Sequence, residues 1–98
     1  MLNDAVSIAP HLHKVTFEND KVRILDVTVN PGDVAEMHTH PDNVIVVIKG
    51  GILNMISKDG AIREAKLEEG SAFFSKATEH AVQNKGGESV KVIQIELK

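Results

Sequence analysis

The chain contains no cysteine, so no disulfide framework can staple it, and any metal it holds must be bound by histidine, carboxylate or amide groups. A cysteine-free chain suits a reducing compartment, and the expected location is cytoplasmic. Tryptophan and tyrosine are also missing, which removes the large rings on which nucleic-acid bases stack. No charge of one sign predominates. Eleven basic against fourteen acidic residues give a net charge of −3 without a run of like charge, so no nucleic-acid partner is expected. Nowhere do about 18 apolar residues follow one another, and Met1 to Pro10 has neither a basic start nor an unbroken apolar stretch. Neither a membrane partner nor a secretory leader is expected.

Branched aliphatic residues are plentiful instead. Twelve Val and nine Ile among 98 residues favour pleated, half-buried strands over helices. A domain of this length buries roughly two-thirds of the surface its unfolded chain exposes, enough for one core. Turn-forming groups such as Asn30-Pro31-Gly32-Asp33, Gly50-Gly51, Lys58-Asp59-Gly60 and Lys85-Gly86-Gly87-Glu88 recur every eight to fifteen residues. The segments between them predict strands near 12–18, 21–29, 34–40, 44–49, 51–57, 61–67, 72–75, 80–84 and 89–97. No dozen residues of helical period bounded by caps occur, so no helix is predicted. The reading is all-β, a sandwich or closed barrel, with an N-terminal strand or arm at 1–20 before a single barrel domain at 21–98.

Two details of pattern stand out. Val44 to Ile48 is apolar without alternation, predicting a central strand covered on both faces. In 21–29 and in 89–97 the apolar alternation slips phase once, between Ile24 and Leu25 and between Val92 and Ile93. Either a β-bulge or burial of both faces would account for this.

Five histidines carry the candidate chemistry. His38 and His40 are two apart on a predicted strand, so both rings project from one face, the spacing at which a strand supplies two ligands to one ion. The same pair would serve equally well on a solvent-facing polar face. His80 opens a later strand and could supply a third nitrogen if the barrel brings those strands together. His11-Leu12-His13 repeats the spacing near a terminus and reads as a surface pair.

The frame around these residues resembles the cupin family. Its first motif, Gly, five residues, His-x-His, three or four residues, Glu, six residues, Gly, is matched by Gly32, His38, His40 and Gly50, with Asn43 standing six residues before Gly50 in place of the Glu. Its second motif, Gly, five residues, Pro-x-Gly, two residues, His, three residues, Asn, is matched by Gly70, His80 and Asn84. Lys76 and Thr78 replace the Pro and Gly, and the approach to His80 is one residue shorter. The resemblance runs from about Val22 to Leu97 and implies a double-stranded β-helix, or jelly-roll, cupin barrel.

The resemblance further implies that His38, His40 and His80 hold one divalent transition metal, Zn, Fe, Ni or Cu, since imidazole suits these ions while Mg and Ca prefer an oxygen shell. Asn43, or Glu36 by its parity with His38 and His40, is the candidate fourth ligand or outer support. Asn84 is expected to hold the turn after the metal strand. Candidate pocket residues are Asn54, Phe73 and Gln94, each of which an ordinary packing or surface role would also explain. The expected partner is a small-molecule ligand, bound or converted, in a dioxygenase or isomerase or in a non-catalytic sensing or structural barrel. Pairing through one sheet into a homodimer is expected, as cupins commonly do.

Overall fold

The computed structural model describes residues 3–98; of the expected arm at 1–20, Met1 and Leu2 lie outside the described residues. Among the described residues nine strands form: β1 (His13–Glu18), β2 (Val22–Val29), β3 (Val34–His40), β4 (Asn43–Lys49), β5 (Gly51–Ser57), β6 (Ile62–Leu67), β7 (Ala72–Ser75), β8 (Thr78–Gln83) and β9 (Val90–Leu97). They make a five-stranded sheet in the order β1-β2-β9-β4-β7 and a four-stranded sheet in the order β3-β8-β5-β6, all pairs antiparallel. From β2 onward the chain crosses between sheets at every connection except the β5–β6 hairpin, which winds it into a double-stranded β-helix. One short helix, α1 (Ala5–Ile8), precedes β1 and is capped by Asp4, whose Oδ2 accepts from the Val6 N–H at 3.1 Å. A single turn leaves no periodicity to read, which is why the sequence predicts no helix there.

The core lies between the sheets. Leu25, Val27, Val29, Val47, Val90 and Val92 come from one sheet and Ala35, Leu53 and Val82 from the other, all buried. Two motif glycines shape its ends. Gly32 has φ +88° in the turn entering β3, and a Cβ on Gly50 would come within 2.5 Å of the Leu67 carbonyl oxygen. Asn84 is buried and ties three strands' ends together: its Nδ2 donates to the carbonyls of Val29 and Glu88, and its Oδ1 accepts from Gly86 N–H.

The phase slips in β2 and β9 are not bulges. The two strands pair in unbroken register from Val22↔Leu97 to Val29↔Val90. Their inner faces run Arg23, Leu25, Val27, Val29 and Val90, Val92, Gln94, Glu96, apolar at one end of the barrel and polar at the other, with Arg23 directly opposite Glu96. The outer face is apolar instead at that end, so both faces carry hydrophobic residues.

Strand β4 lies inside its sheet, between β9 and β7, but only Val47 of its apolar run is buried, and Ile48 is 50% exposed. Its outward residues belong to a row of directly paired apolar side chains crossing all five strands: Phe17, Ile24, Ile95, Val44 and Phe74. Among the described residues no other layer covers that row, and Phe17 and Phe74 at its ends are exposed. The predicted two-sided cover is therefore present on one face only.

Candidate functional site

Bulges and register decide which histidines meet. In β3 the pairing with β8 shifts between Ala35 and His38, after which His38 sits opposite His80 and His40 opposite Thr78. The shift restores an inward direction to both His38 and His40, while Glu36, whose shared parity assumes a regular strand, is exposed. His13 begins β1 opposite Val27 and reaches the same place from the other sheet. The ring centroids of His13, His38, His40 and His80 form a chain of close neighbours: His13 lies 5.1 Å from His38 and 5.4 Å from His40, and His80 lies 4.9 Å and 5.5 Å from the same two rings.

His13 is thus the histidine of the cluster that sequence reasoning missed. Only His11 of the expected surface pair is exposed, its Nε2 3.2 Å from the Val34 carbonyl, whereas His13 is 5% exposed. The available signal was Leu12, also buried, which with α1 seals this end of the core and draws the start of β1 inward.

Three of the four rings, His13, His38 and His40, are held through Nδ1. That atom donates to the Ala9 carbonyl in His13 (3.0 Å), to the Glu36 carbonyl in His38 (2.6 Å) and to the Glu96 carboxylate in His40 (2.7 Å), and because these partners only accept, the proton is fixed on Nδ1. The Nε2 lone pairs remain for another partner. His38 Nε2 is fully buried and meets no hydrogen-bond partner, a costly state for a polar atom unless a ligand satisfies it. One nitrogen from each of His13, His38 and His40 lies within 4.8 Å of the others, so closing to the roughly 3–3.5 Å between ligand atoms of a bound ion takes a movement of about 1 Å. The donor set fits a transition-metal ion: buried imidazoles, each holding its Nδ1 on a protein acceptor, one of them with an Nε2 that has no partner.

Burial, followed by the repulsion of neighbouring imidazolium charges, disfavours protonation of His13, His38 and His80. Burial pushes His80 down to about 3, helped by His38, His40 and His13, and pushes His13 down to about 4 against the hydrogen bond to Ala9; His38 is lowered for the same reason. Below the ordinary histidine pKa of about 6.5 the unfolded chain takes up protons that the folded protein refuses. Stability is therefore full above about pH 6.5 and falls as the pH drops towards 4, by about 1 kcal/mol per pH unit for each such histidine. Melting of the metal-free protein followed from pH 7.5 to 5 should fall by tens of degrees. An unchanged melting temperature across that range would show that the rings are solvated.

Behind His40 lies a chain of buried charge. Glu96 accepts from His40 through one oxygen and from Arg23 Nε, at 2.7 Å, through the other; Arg23 in turn pairs with Asp4, the cap of α1, at 2.5 Å. Burial alone would raise the Glu96 carboxyl, but the hydrogen bonds from His40 and Arg23 outweigh it and hold the group below its ordinary range. A carboxylate on the far side of a ligating ring is the arrangement that orients the ring and raises its basicity. Neither Glu96 nor Arg23 was singled out from the sequence.

The four rings open into a cavity of about 370 Å³. Phe73 and Gln94 line it, but Asn54 does not, because strand alternation turns its neighbours Leu53 and Met55 inward instead. Asn43 also lines the cavity and is committed to protein: its Nδ2 donates to the Pro41 carbonyl and its Oδ1 accepts from Gln94 at 3.1 Å.

A double-stranded β-helix with clustered histidines facing an apolar cavity places the chain among the jelly-roll barrels. The cupin domain profile matches residues 25–96, and the chain belongs to that family. Among solved structures, a cupin domain from Bordetella pertussis Tohama I is 25% identical, with 89% of this chain and 92% of that one aligned at a TM-score of 0.81. An RmlC-like cupin family protein from Methanocaldococcus jannaschii is 15% identical over 88% of this chain and 78% of its own, TM-score 0.69. The polyketide cyclase RemF from Streptomyces resistomycificus is 18% identical over 87% of this chain and 63% of its own, TM-score 0.64. No curated protein matches the sequence significantly. No helix among the described residues is long and apolar enough to cross a membrane.

Proposed function

We propose that this protein is a metal-dependent small-molecule-binding cupin, in which His38, His40 and His80, joined by His13, hold one divalent transition metal at the floor of the cavity. The observation that carries the reading is the buried, unpartnered Nε2 of His38 among three further imidazoles. Neutral nitrogen donors suit Zn, Fe(II), Ni and Cu(II). Without a ligating carboxylate the ion keeps its full double charge, which favours an anionic or chelating oxygen ligand in the cavity. Holding a ligand is favoured over turning it over, because Glu96, the carboxylate that touches the rings, is already engaged by His40 and Arg23. In this reading the arm at 1–20 is a working part of the barrel at 21–98, since it brings His13.

Titration with Co(II), followed by its visible absorption, tests this directly. One equivalent should bind to the wild type with the spectrum of nitrogen ligation. His13→Ala should bind the ion at least about tenfold more weakly yet still in equal proportion, whereas His11→Ala should match the wild type. Absence of any cobalt spectrum in the wild type would end the proposal.

The apolar row on the outer face of the five-stranded sheet supports pairing with a second copy through that face. A flat face whose central row is apolar, beside the Lys91–Asp26 ion pair, can meet its own two-fold image with like against like. Ile95→Glu should convert the dimer to a monomer in sedimentation without lowering cobalt binding. A wild type that sediments as a monomer would remove this part of the proposal.

A further inference from the structure

The cavity has two chemically distinct ends. Its floor is the buried histidine cluster, and its walls are apolar, with Leu12, Val27, Ile45, Leu53, Met55 and Val92 among the lining side chains. Its mouth lies between the edge strands of the two sheets, β6 and β7, where Arg63 and Phe73 both line it. Arg63 stands opposite Met55 in the β5–β6 register, on the inward face of an exposed strand.

Among the described residues the Arg63 guanidinium has no hydrogen bond and no ion pair. The neighbouring Glu64 and Lys66 also reach the lip, but they pair in register with Asn54 and Ile52, on the face of β5 that does not line the cavity, and their charges cancel. Inside, the Glu96 charge is matched by Arg23. The guanidinium is the uncompensated charge of the cavity. A guanidinium offers a planar fork that fits a carboxylate with two parallel hydrogen bonds.

We propose that the ligand is an amphipathic organic anion: a carboxylate taken by Arg63 at the mouth, an apolar body against the walls, and its far end facing the histidines. The volume sets the size of that body. A cavity of 150 Å³ holds benzene, so about 370 Å³ admits something up to roughly two such rings. This deepens the function proposed above and rests on it only for what lies at the far end of the ligand.

Phenylbutyrate and the matched neutral phenylbutanol are suitable probes, titrated by calorimetry into both metal-free and cobalt-loaded protein. Charge-assisted hydrogen bonds of this kind are worth about 1.5–3 kcal/mol, so the acid should bind about 10- to 100-fold more tightly than the alcohol in both forms. Arg63→Gln should abolish that preference, weakening the acid far more than the alcohol, and Arg63→Lys should keep part of it. Because Arg63 is exposed, the variants should melt with the wild type. In the cobalt-loaded protein the ring protons of the probe should relax faster than the methylene beside the carboxylate.

Equal binding of acid and alcohol, no binding of either, or an undiminished preference in Arg63→Gln overturns the assignment. Fastest relaxation at the carboxylate end does so too, since it would place that group on the metal. If cobalt does not bind at all, the metal reading fails by itself, and the metal-free titration still decides the role of Arg63.

Discussion

Replacing both His38 and His40 by alanine should leave the purified protein with less than about one metal ion per ten chains, against close to one per chain in the wild type grown in the same replete medium. The two rings are the middle of the cluster, each within about 5.5 Å of His13 and His80, whereas no ring contact joins His13 to His80. Removing them separates the two that remain. Losing a mere supporting contact to a metal ligand costs 10- to 100-fold in affinity, and losing two ligands must exceed that.

The same variant gives a thermodynamic readout. An ion present at 100 to 1,000 times its dissociation constant stabilises the folded form by about 2.7–4.1 kcal/mol, which in a domain of this size raises the melting temperature by roughly 10–30 °C. The wild type should show such a rise on adding Zn and the double variant none. The variant need not be much less stable than the metal-free wild type, because the orphaned Nε2 of His38 leaves with the ring. A double variant that still carries stoichiometric metal would mean that the ion sits elsewhere.

The fold was legible because its signals are local. Period-two hydrophobicity and recurrent turns place all nine strands within a residue or two of where they form, and the His-x-His pair with its flanking glycines marks the strand that carries the site. What the sequence hid depends on contacts between distant segments. Glu36 shares parity with His38 on paper, and a bulge one residue further on takes that parity away. His13 looked like half of a surface pair until α1 and Leu12 pull it inside. The phase slips in β2 and β9 were visible, but their meaning was not: they mark where the inward face turns from apolar to polar, at Arg23, Gln94 and Glu96. A slip of alternation in two strands that pair with each other points to a polar patch inside the barrel, and here that patch stands behind the clustered histidines.

Glu96 is the place where stability and metal binding can be separated. It is 2% exposed, and its two oxygens are shared between His40 and Arg23. Removing one member of a buried pair leaves the other charge without compensation, so Glu96→Met should cost about 3–5 kcal/mol and lower the melting temperature by roughly 12–40 °C. Replacing both members by apolar residues of similar volume is often neutral, so Glu96→Met combined with Arg23→Met should recover most of that loss, with Asp4, 19% exposed, returning to water. Metal affinity should not recover. In the double variant His40 Nδ1 still lacks its carboxylate, the ring is free to turn, and its Nε2 is a poorer donor, so Co(II) should bind about 10- to 100-fold more weakly than to the wild type. A double variant that regains both stability and full cobalt affinity would make the Arg23–Glu96 pair a packing element and leave His40 positioned by the barrel alone.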